Sequence, residues 1–159
     1  ATACISLIQL YSDKIALVNA LSPIVTEEWG HFRMVLKEIS IRGFTLGRQR
    51  KDLYVNKLMK LQIKGGGKEQ VLVDKLLTCA LIEARSCERF RTLSIGVEEQ
   101  DLKAFYYQLM VSEAGHYKMF LDLAKLYGDT KYVFNRWNEF LKFEAEIIRD
   151  LTIRGDRIH

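Results

Sequence analysis

Apolar residues recur at steps of three and four along most of the chain, which is the period of an amphipathic helix and not the alternation of a half-buried strand. Pro23 is expected either to kink the second of these stretches or to open a new first turn within it. Turn signals separate the stretches, at Ser12-Asp13, Gly43, Gly65-Gly66-Gly67, Gly96 and Gly128-Asp129. The pattern predicts an all-α helix bundle with helices at about 1–11, 14–42, 52–63, 69–93, 98–127 and 130–153.

The composition is that of a soluble globular protein, with 48% hydrophobic and 28% charged residues in a chain of 159. We expect one domain over residues 1–159. The opening apolar run ends after 11 residues, too short to cross a bilayer, so no membrane association is expected. The run carries no helix start signal, and we expect the chain to begin inside its first helix. Three cysteines in no disulfide or zinc pattern indicate a reducing compartment, and a cytoplasmic protein is expected.

Five polar residues fall on apolar stripes that should face the core. Glu28 and His31 form a Glu-x-x-His pair on the second helix, and Glu113 and His116 repeat the arrangement on a later one. Glu83 is a lone carboxylate on the stripe between them. The stripes are Leu21-Ile24-Glu28-His31-Val35-Ile39, Leu72-Leu76-Cys79-Glu83-Cys87-Phe90 and Leu102-Phe105-Leu109-Glu113-His116-Phe120-Leu123.

These inward acids need compensating positive charge, because a buried carboxylate that loses its hydration costs several kcal/mol. No stripe position is Lys or Arg. A pair of divalent metals would supply the charge, and carboxylate-bridged di-iron bundles use one Glu from each of two helices plus a Glu-x-x-His from each of the other two. Glu83 precedes Glu113 by 30 residues, so the same spacing predicts the missing Glu about 30 residues before Glu28, just upstream of Ala1.

Other charged residues lie near the stripes and are expected to form ion pairs or to be solvated. Arg85 and Glu88 are expected to form a solvated or outer ion pair, although Arg85 could instead brace a ligand carboxylate. Glu144 and Glu146 of the last helix are expected to be solvated.

The crossover, residues 42–68, carries eight Lys or Arg residues against one acid. Its formal charge is +7, which leaves −3 for the rest of a chain whose total is +4. Such segregation is typical of a protein that binds a polyanion, while a solvated connection explains it equally well. Tyr54 could stack on an unpaired base. The candidate RNA contacts are Arg48, Arg50, Lys51, Tyr54, Lys57, Lys60 and Lys64.

Four segments together resemble one family. They are EARSCERF at 83–90, EEWGHF at 27–32, SEAGHYKMF at 112–120 and RGFTLGRQRKDLYVNKL at 42–58. With them the chain resembles, over essentially its whole length, the tRNA 2-methylthio-N6-isopentenyladenosine hydroxylases, which are non-haem di-iron enzymes.

The resemblance implies a ferritin-like four-helix bundle with a basic crossover and an additional C-terminal helix. It also implies hydroxylation of the isopentenyl group next to the tRNA anticodon, with two iron ions, O2 as co-substrate and a separate ferredoxin or reductase as electron donor. Asp74 or Asp150 would orient the ligand histidines. The implied ligands, beside one more Glu on the first helix, are Glu28, His31, Glu83, Glu113 and His116.

Other functions share parts of this pattern. An iron-storage or ferroxidase protein would use the same ligands but has no need of the basic crossover. A peroxide-consuming di-metal enzyme would also share the ligands. An inactive RNA-binding bundle would explain the crossover but not the acids on three stripes.

Overall fold

The structure is a computed structural model that describes residues 1–48 and 52–151. Every regular element in these ranges is helical, which confirms the all-α prediction. Contacts group the chain into two compact units, Ala1–Arg50 and Lys51–His159. The single-domain organisation stays a prediction.

The first unit is a helical hairpin. Helix α1 spans Thr2–Leu10 and helix α2 spans Ile15–Ile41. Cys4 and Leu7 of α1 and Leu17 and Leu21 of α2 are buried. Helix α2 continues through Pro23 without a break, so the alternative of a new first turn at this residue was wrong.

Gly43 ends α2, as the sequence predicts. Its φ of +71° lies in the left-handed region that a residue with a side chain rarely adopts. The amides of Gly43 and Phe44 donate to the carbonyls of Ser40 and Ile39, each at 3.0 Å, and so satisfy two of the last carbonyls of the helix.

The second unit contains the other four helices. Helix α3 spans Leu53–Leu58 and continues as a 3₁₀ turn, Met59–Leu61. Helices α4, Lys68–Gly96, and α5, Gln100–Tyr127, are joined by three residues and therefore pack antiparallel. Helix α6 spans Thr130–Asp150.

The core of the second unit lies between α4, α5 and α6. Its largest fully buried side chains include Leu76 and Leu77 of α4, Phe120 of α5 and Phe140 of α6. At the turn into α6, a Cβ on Gly128 would come within 2.6 Å of Val133 and 2.7 Å of Val73, so only glycine fits there.

The predicted helix positions are confirmed to within a few residues. The largest difference is at the end of the short α3, whose last predicted residues form the 3₁₀ turn and an extended stretch. Within the described ranges, no helix has both the length and the apolar character needed to cross a membrane.

Candidate metal centre

Helix α5 places a carboxylate and an imidazole in the core. Glu113 is 7% exposed and His116 is 3% exposed, with buried Leu109 and Phe120 one turn to either side. Residues three and four apart lie on one face of an α-helix, so the four side chains form a single inner stripe. The burial predicted from the spacing is confirmed.

Helix α4 brings a second carboxylate to this point. Glu83 lies fourteen residues before Val97, where α4 has ended, and Glu113 lies fourteen residues after Glu99, where α5 is about to begin. An antiparallel pair joined by so short a turn must bring these two positions to the same level. The ligand atoms of Glu83, Glu113 and His116 lie within 4.8 Å of one another.

This donor set fits a divalent transition metal. His116 Nδ1 lies 3.9 Å from Glu83 Oε2, and His116 Nε2 lies 3.5 Å from the Ser112 hydroxyl. Two carboxylates and one imidazole, converging inside a helical core, are the ligands that iron and manganese bind in bundles of this kind. A bound cation would also offset the cost of holding two carboxylates so close together.

The first unit presents the other Glu-x-x-His pair. Glu28 and His31 lie on one face of α2, with His31 Nδ1 3.4 Å from Glu28 Oε1. The side chains are 24% and 14% exposed, so both are largely withdrawn from solvent. Glu27, which precedes them, is 46% exposed.

Cys87 lies near the cluster and is not among its ligand atoms. Burial, followed by the charges of Glu113 and Glu88, raises the pKa of the Cys87 thiol. The thiol therefore stays protonated near neutral pH, and metal binding requires the thiolate.

Sequence reasoning missed a buried carboxylate at Glu144. The residue was expected to be solvated but is 7% exposed. Its Oε1 accepts hydrogen bonds from Arg85 Nε at 2.9 Å, from Arg85 Nη2 at 2.5 Å and from the Tyr54 hydroxyl at 3.1 Å. The sequence spacing did indicate this burial, because Phe140, Glu144 and Ile147 follow one another in steps of four and three and are all buried.

Arg85 therefore binds two carboxylates, those of Glu88 and Glu144. Its Nη1 lies 2.5 Å from exposed Glu88, which is the outer ion pair that the sequence suggested. Its other two nitrogens donate to Glu144, so the carboxylate that Arg85 braces lies outside the proposed ligand set.

Tyr54 also differs from its expected role. The residue is 5% exposed, so its ring offers no surface for stacking on a base, and we withdraw it from the candidate RNA contacts. Burial and the neighbouring Glu144 raise the pKa of Tyr54 far above its usual range. Its hydroxyl therefore remains a hydrogen-bond donor at any physiological pH.

Asp74, expected to orient a ligand histidine, has other partners. It is fully buried and accepts from Arg136 Nε at 3.0 Å, from Arg136 Nη2 at 2.6 Å and from the Ile63 amide at 2.9 Å. Arg136 also donates to the Leu61 carbonyl at 2.9 Å. The prediction that Asp74 orients a ligand histidine was wrong. Asp74 instead holds the backbone at the end of the crossover.

The basic residues of the crossover are mostly exposed where the structure describes them. Arg48, Lys60 and Lys64 are exposed and Lys57 is half-buried. Arg50 and Lys51 lie outside the described residues.

The helical fold and the carboxylate-histidine cluster place the protein in the class of ferritin-like proteins whose helices carry metal ligands in the core. Within that class, the chain belongs to the tRNA-(MS[2]IO[6]A)-hydroxylase (MiaE) family, whose model matches residues 1–159. The family suggested by the four sequence segments is thus confirmed.

Two curated relatives and one solved structure are similar to the chain. The tRNA 2-(methylsulfanyl)-N(6)-isopentenyladenosine(37) hydroxylase of Pseudomonas putida is 40% identical over 130 residues, which cover 81% of this chain and 62% of that protein. The protein of the same name from Salmonella typhimurium is 33% identical over 141 residues, which cover 89% of this chain and 49% of that protein. The chain thus spans between about half and three fifths of the length of these relatives.

The solved structure is "Protein 43 with aldehyde deformylating oxygenase activity" from Synechococcus. It matches with a TM-score of 0.89 at 29% identity, and the match covers 96% of this chain and 75% of that one. This likeness confirms the ferritin-like fold class.

Proposed function

We propose that the protein is an O2-dependent di-iron monooxygenase that hydroxylates the isopentenyl group of 2-methylthio-N6-isopentenyladenosine next to the tRNA anticodon. The observation that carries the proposal is the convergence of Glu83, Glu113 and His116 inside a chain of the hydroxylase family. The curated relatives bear the name of this activity.

In this proposal the metal ligands are the five residues that the sequence indicates. Glu83, Glu113 and His116 would hold iron, and Glu28 and His31 would supply the matching ligands. When bound by these residues, iron would supply redox chemistry for the reduction of O2. The protein contributes negative charge from the glutamates and a neutral imidazole from each histidine, and the apolar residues around Glu113 and His116 keep bulk water from the site.

The reaction must take up two electrons and two protons. Substrate, O2, two electrons and two protons give the hydroxylated nucleoside and one water molecule. We therefore propose a separate electron donor, a ferredoxin or a reductase, and a cytoplasmic location where tRNA and donor meet.

The tRNA is proposed to bind through its phosphates. Lys57, Lys60 and Lys64 of the second unit and Arg48 of the first carry the charge for such contacts, with Arg50 and Lys51 as further candidates. Phosphate contacts fix the position of an RNA without reading its sequence, and they weaken as salt rises.

The test combines iron analysis with product formation in the full-length protein. The protein is loaded with ferrous iron, supplied with reductant, O2 and tRNA that carries the isopentenyl nucleoside, and the digested nucleosides are weighed. We expect a gain of one oxygen atom on that nucleoside. His116→Ala and Glu83→Ala should lose both iron and product while staying helical, whereas Asp122→Ala, an exposed change on the same helix as His116, should retain both.

Two outcomes would overturn parts of the proposal. Full iron content in Glu83→Ala would show that the ligands are assigned wrongly. Iron loading by the wild type without any change in the nucleoside would leave the metal site standing and move the function to iron storage or peroxide consumption.

A further inference from the structure

We propose that Tyr54, Glu144 and Arg85 form a positioning bridge that holds α3, with its RNA-binding lysine, in register with the turn of α4 that carries Glu83. The inference rests on the proposed function and deepens it. It concerns how substrate bound at the crossover is placed relative to the metal ligands.

The bridge joins three helices at one atom. Oε1 of Glu144, on α6, accepts from Tyr54 of α3 and twice from Arg85 of α4. Glu144 and Tyr54 are both less than a tenth exposed, so these bonds form where water competes poorly and each fixes geometry more firmly than a surface pair would.

Each end of the bridge lies next to a residue of the proposed reaction. Tyr54 and Lys57 are three residues apart on α3, one helical turn. Arg85 follows Glu83 by two residues on α4, about 200° around the helix axis, so its side chain leaves a different face from the ligand. Arg85 therefore acts through the helix backbone and not by touching the metal ligand, which makes it a positioning residue.

Helix α3 depends on such contacts to hold its place. Six residues are too few for a stable helix in water, so tertiary contacts must fix it. The far end of the segment is held separately, where Asp74 and Arg136 bind the backbone of Ile63 and Leu61. Without the Tyr54 bond, α3 would keep this second attachment and its buried Leu58 but lose the link that sets its level along α4.

The test uses Tyr54→Phe, which removes one hydroxyl and keeps the ring. In the iron-free full-length protein, hydrogen exchange of residues 53–61 should become about tenfold faster or more, while the middle of α5 exchanges as before. In the iron-loaded protein, iron content and the Kd for the anticodon stem-loop should change less than about threefold, because the lysines remain, whereas kcat at saturating RNA should fall about tenfold or more.

Variants at the other two residues of the bridge test the inference if Tyr54→Phe folds poorly. Glu144→Gln removes the charge at the centre of the bridge and should reproduce the changes. Arg85→Lys retains positive charge but loses the planar pair of donors, so it should retain more kcat than Arg85→Met. Tyr107→Phe, at a residue 58% exposed on α5, is the matched control and should change nothing.

The hydrogen-exchange measurement tests this inference independently of the proposed function. Wild-type protein that leaves the nucleoside unchanged would overturn the function, and faster exchange confined to residues 53–61 would then still support the bridge. Unchanged exchange there, an exchange increase spread over α4 and α5, or unchanged kcat in an active enzyme would each overturn the bridge.

Discussion

Replacing Asp74 with alanine tests how strongly the crossover is held to the second unit. Asp74 is fully buried, and the change removes three hydrogen bonds, two from Arg136 and one from the Ile63 amide. It also leaves the guanidinium of Arg136, whose side chain is 12% exposed, without its buried counter-ion.

The size of the effect follows from what Arg136 retains. Breaking a buried ion pair from one side costs about 3–5 kcal/mol. Arg136 still contacts Glu139 and the Leu61 carbonyl, so its charge keeps partners and the loss should fall near the lower end, about 3 kcal/mol. For a chain of this size that corresponds to a fall in Tm of roughly 6–12 °C.

The assay is urea unfolding of the iron-free protein followed by circular dichroism, with Asp122→Ala as control. Asp122 is 58% exposed and 3.7 Å from Lys125, so its loss should cost less than about 0.5 kcal/mol. In Asp74→Ala/Arg136→Met the uncompensated charge is gone, and part of the lost stability should return. A loss of less than about 1 kcal/mol in Asp74→Ala would refute the reasoning.

Three other predictions concern charge, pH and packing. Lys60→Glu should weaken tRNA binding about tenfold or more and lower its salt dependence, whereas the exposed α5 change Lys118→Glu should have little effect; equal losses in filter binding would argue against the crossover as the RNA contact. The pKa of Tyr54 is raised in the folded protein, so the folded state holds this proton more tightly than the unfolded one. The resulting stability is complete below about pH 10 and is lost as pH rises further, so Tyr54→Phe should decline less steeply than wild type in denaturation between pH 9 and 11. An equal decline would assign the alkaline loss to other groups. Phe140→Ala should cost about 3–5 kcal/mol in urea unfolding, because the side chain is fully buried, and Phe134→Ala, 65% exposed, about 0.5 kcal/mol or less; similar costs would contradict the placement of the core.

The helices could be predicted from the sequence because the spacing of apolar residues and the positions of the turn residues agree. Gly43 and Gly128 mark ends that the structure places within a residue or two, since the same residues that permit the turn interrupt the apolar pattern. The ligands of α4 and α5 could be found for a similar reason. Helical periodicity puts Glu113 and His116 inside, and the length of the antiparallel pair brings Glu83 to their level.

The roles of Tyr54, Asp74 and Glu144 could not be predicted in the same way. Each depends on which side chain from a distant helix meets it, and periodicity describes one helix at a time. Glu144 was expected to be solvated, although its position between Phe140 and Ile147 places it on the buried face of α6. Pro23 shows a similar limit: its ring removes one backbone donor, yet the packing of a long helix outweighs that local loss.

The glycine run near the end of the crossover, Gly65-Gly66-Gly67, gives the protein an adjustable joint. The segment before it is secured at Ile63, and α4 begins directly after Gly67, whose amide donates to the Gln70 side chain at 3.1 Å. A Cβ on Gly65 would meet nothing within 4 Å. Extra residues inserted between Lys64 and Gly65 would therefore shift neither α3 nor α4, and the entropic cost of a longer loop grows only slowly. The joint is a natural place to graft a fluorescent reporter beside the proposed RNA path.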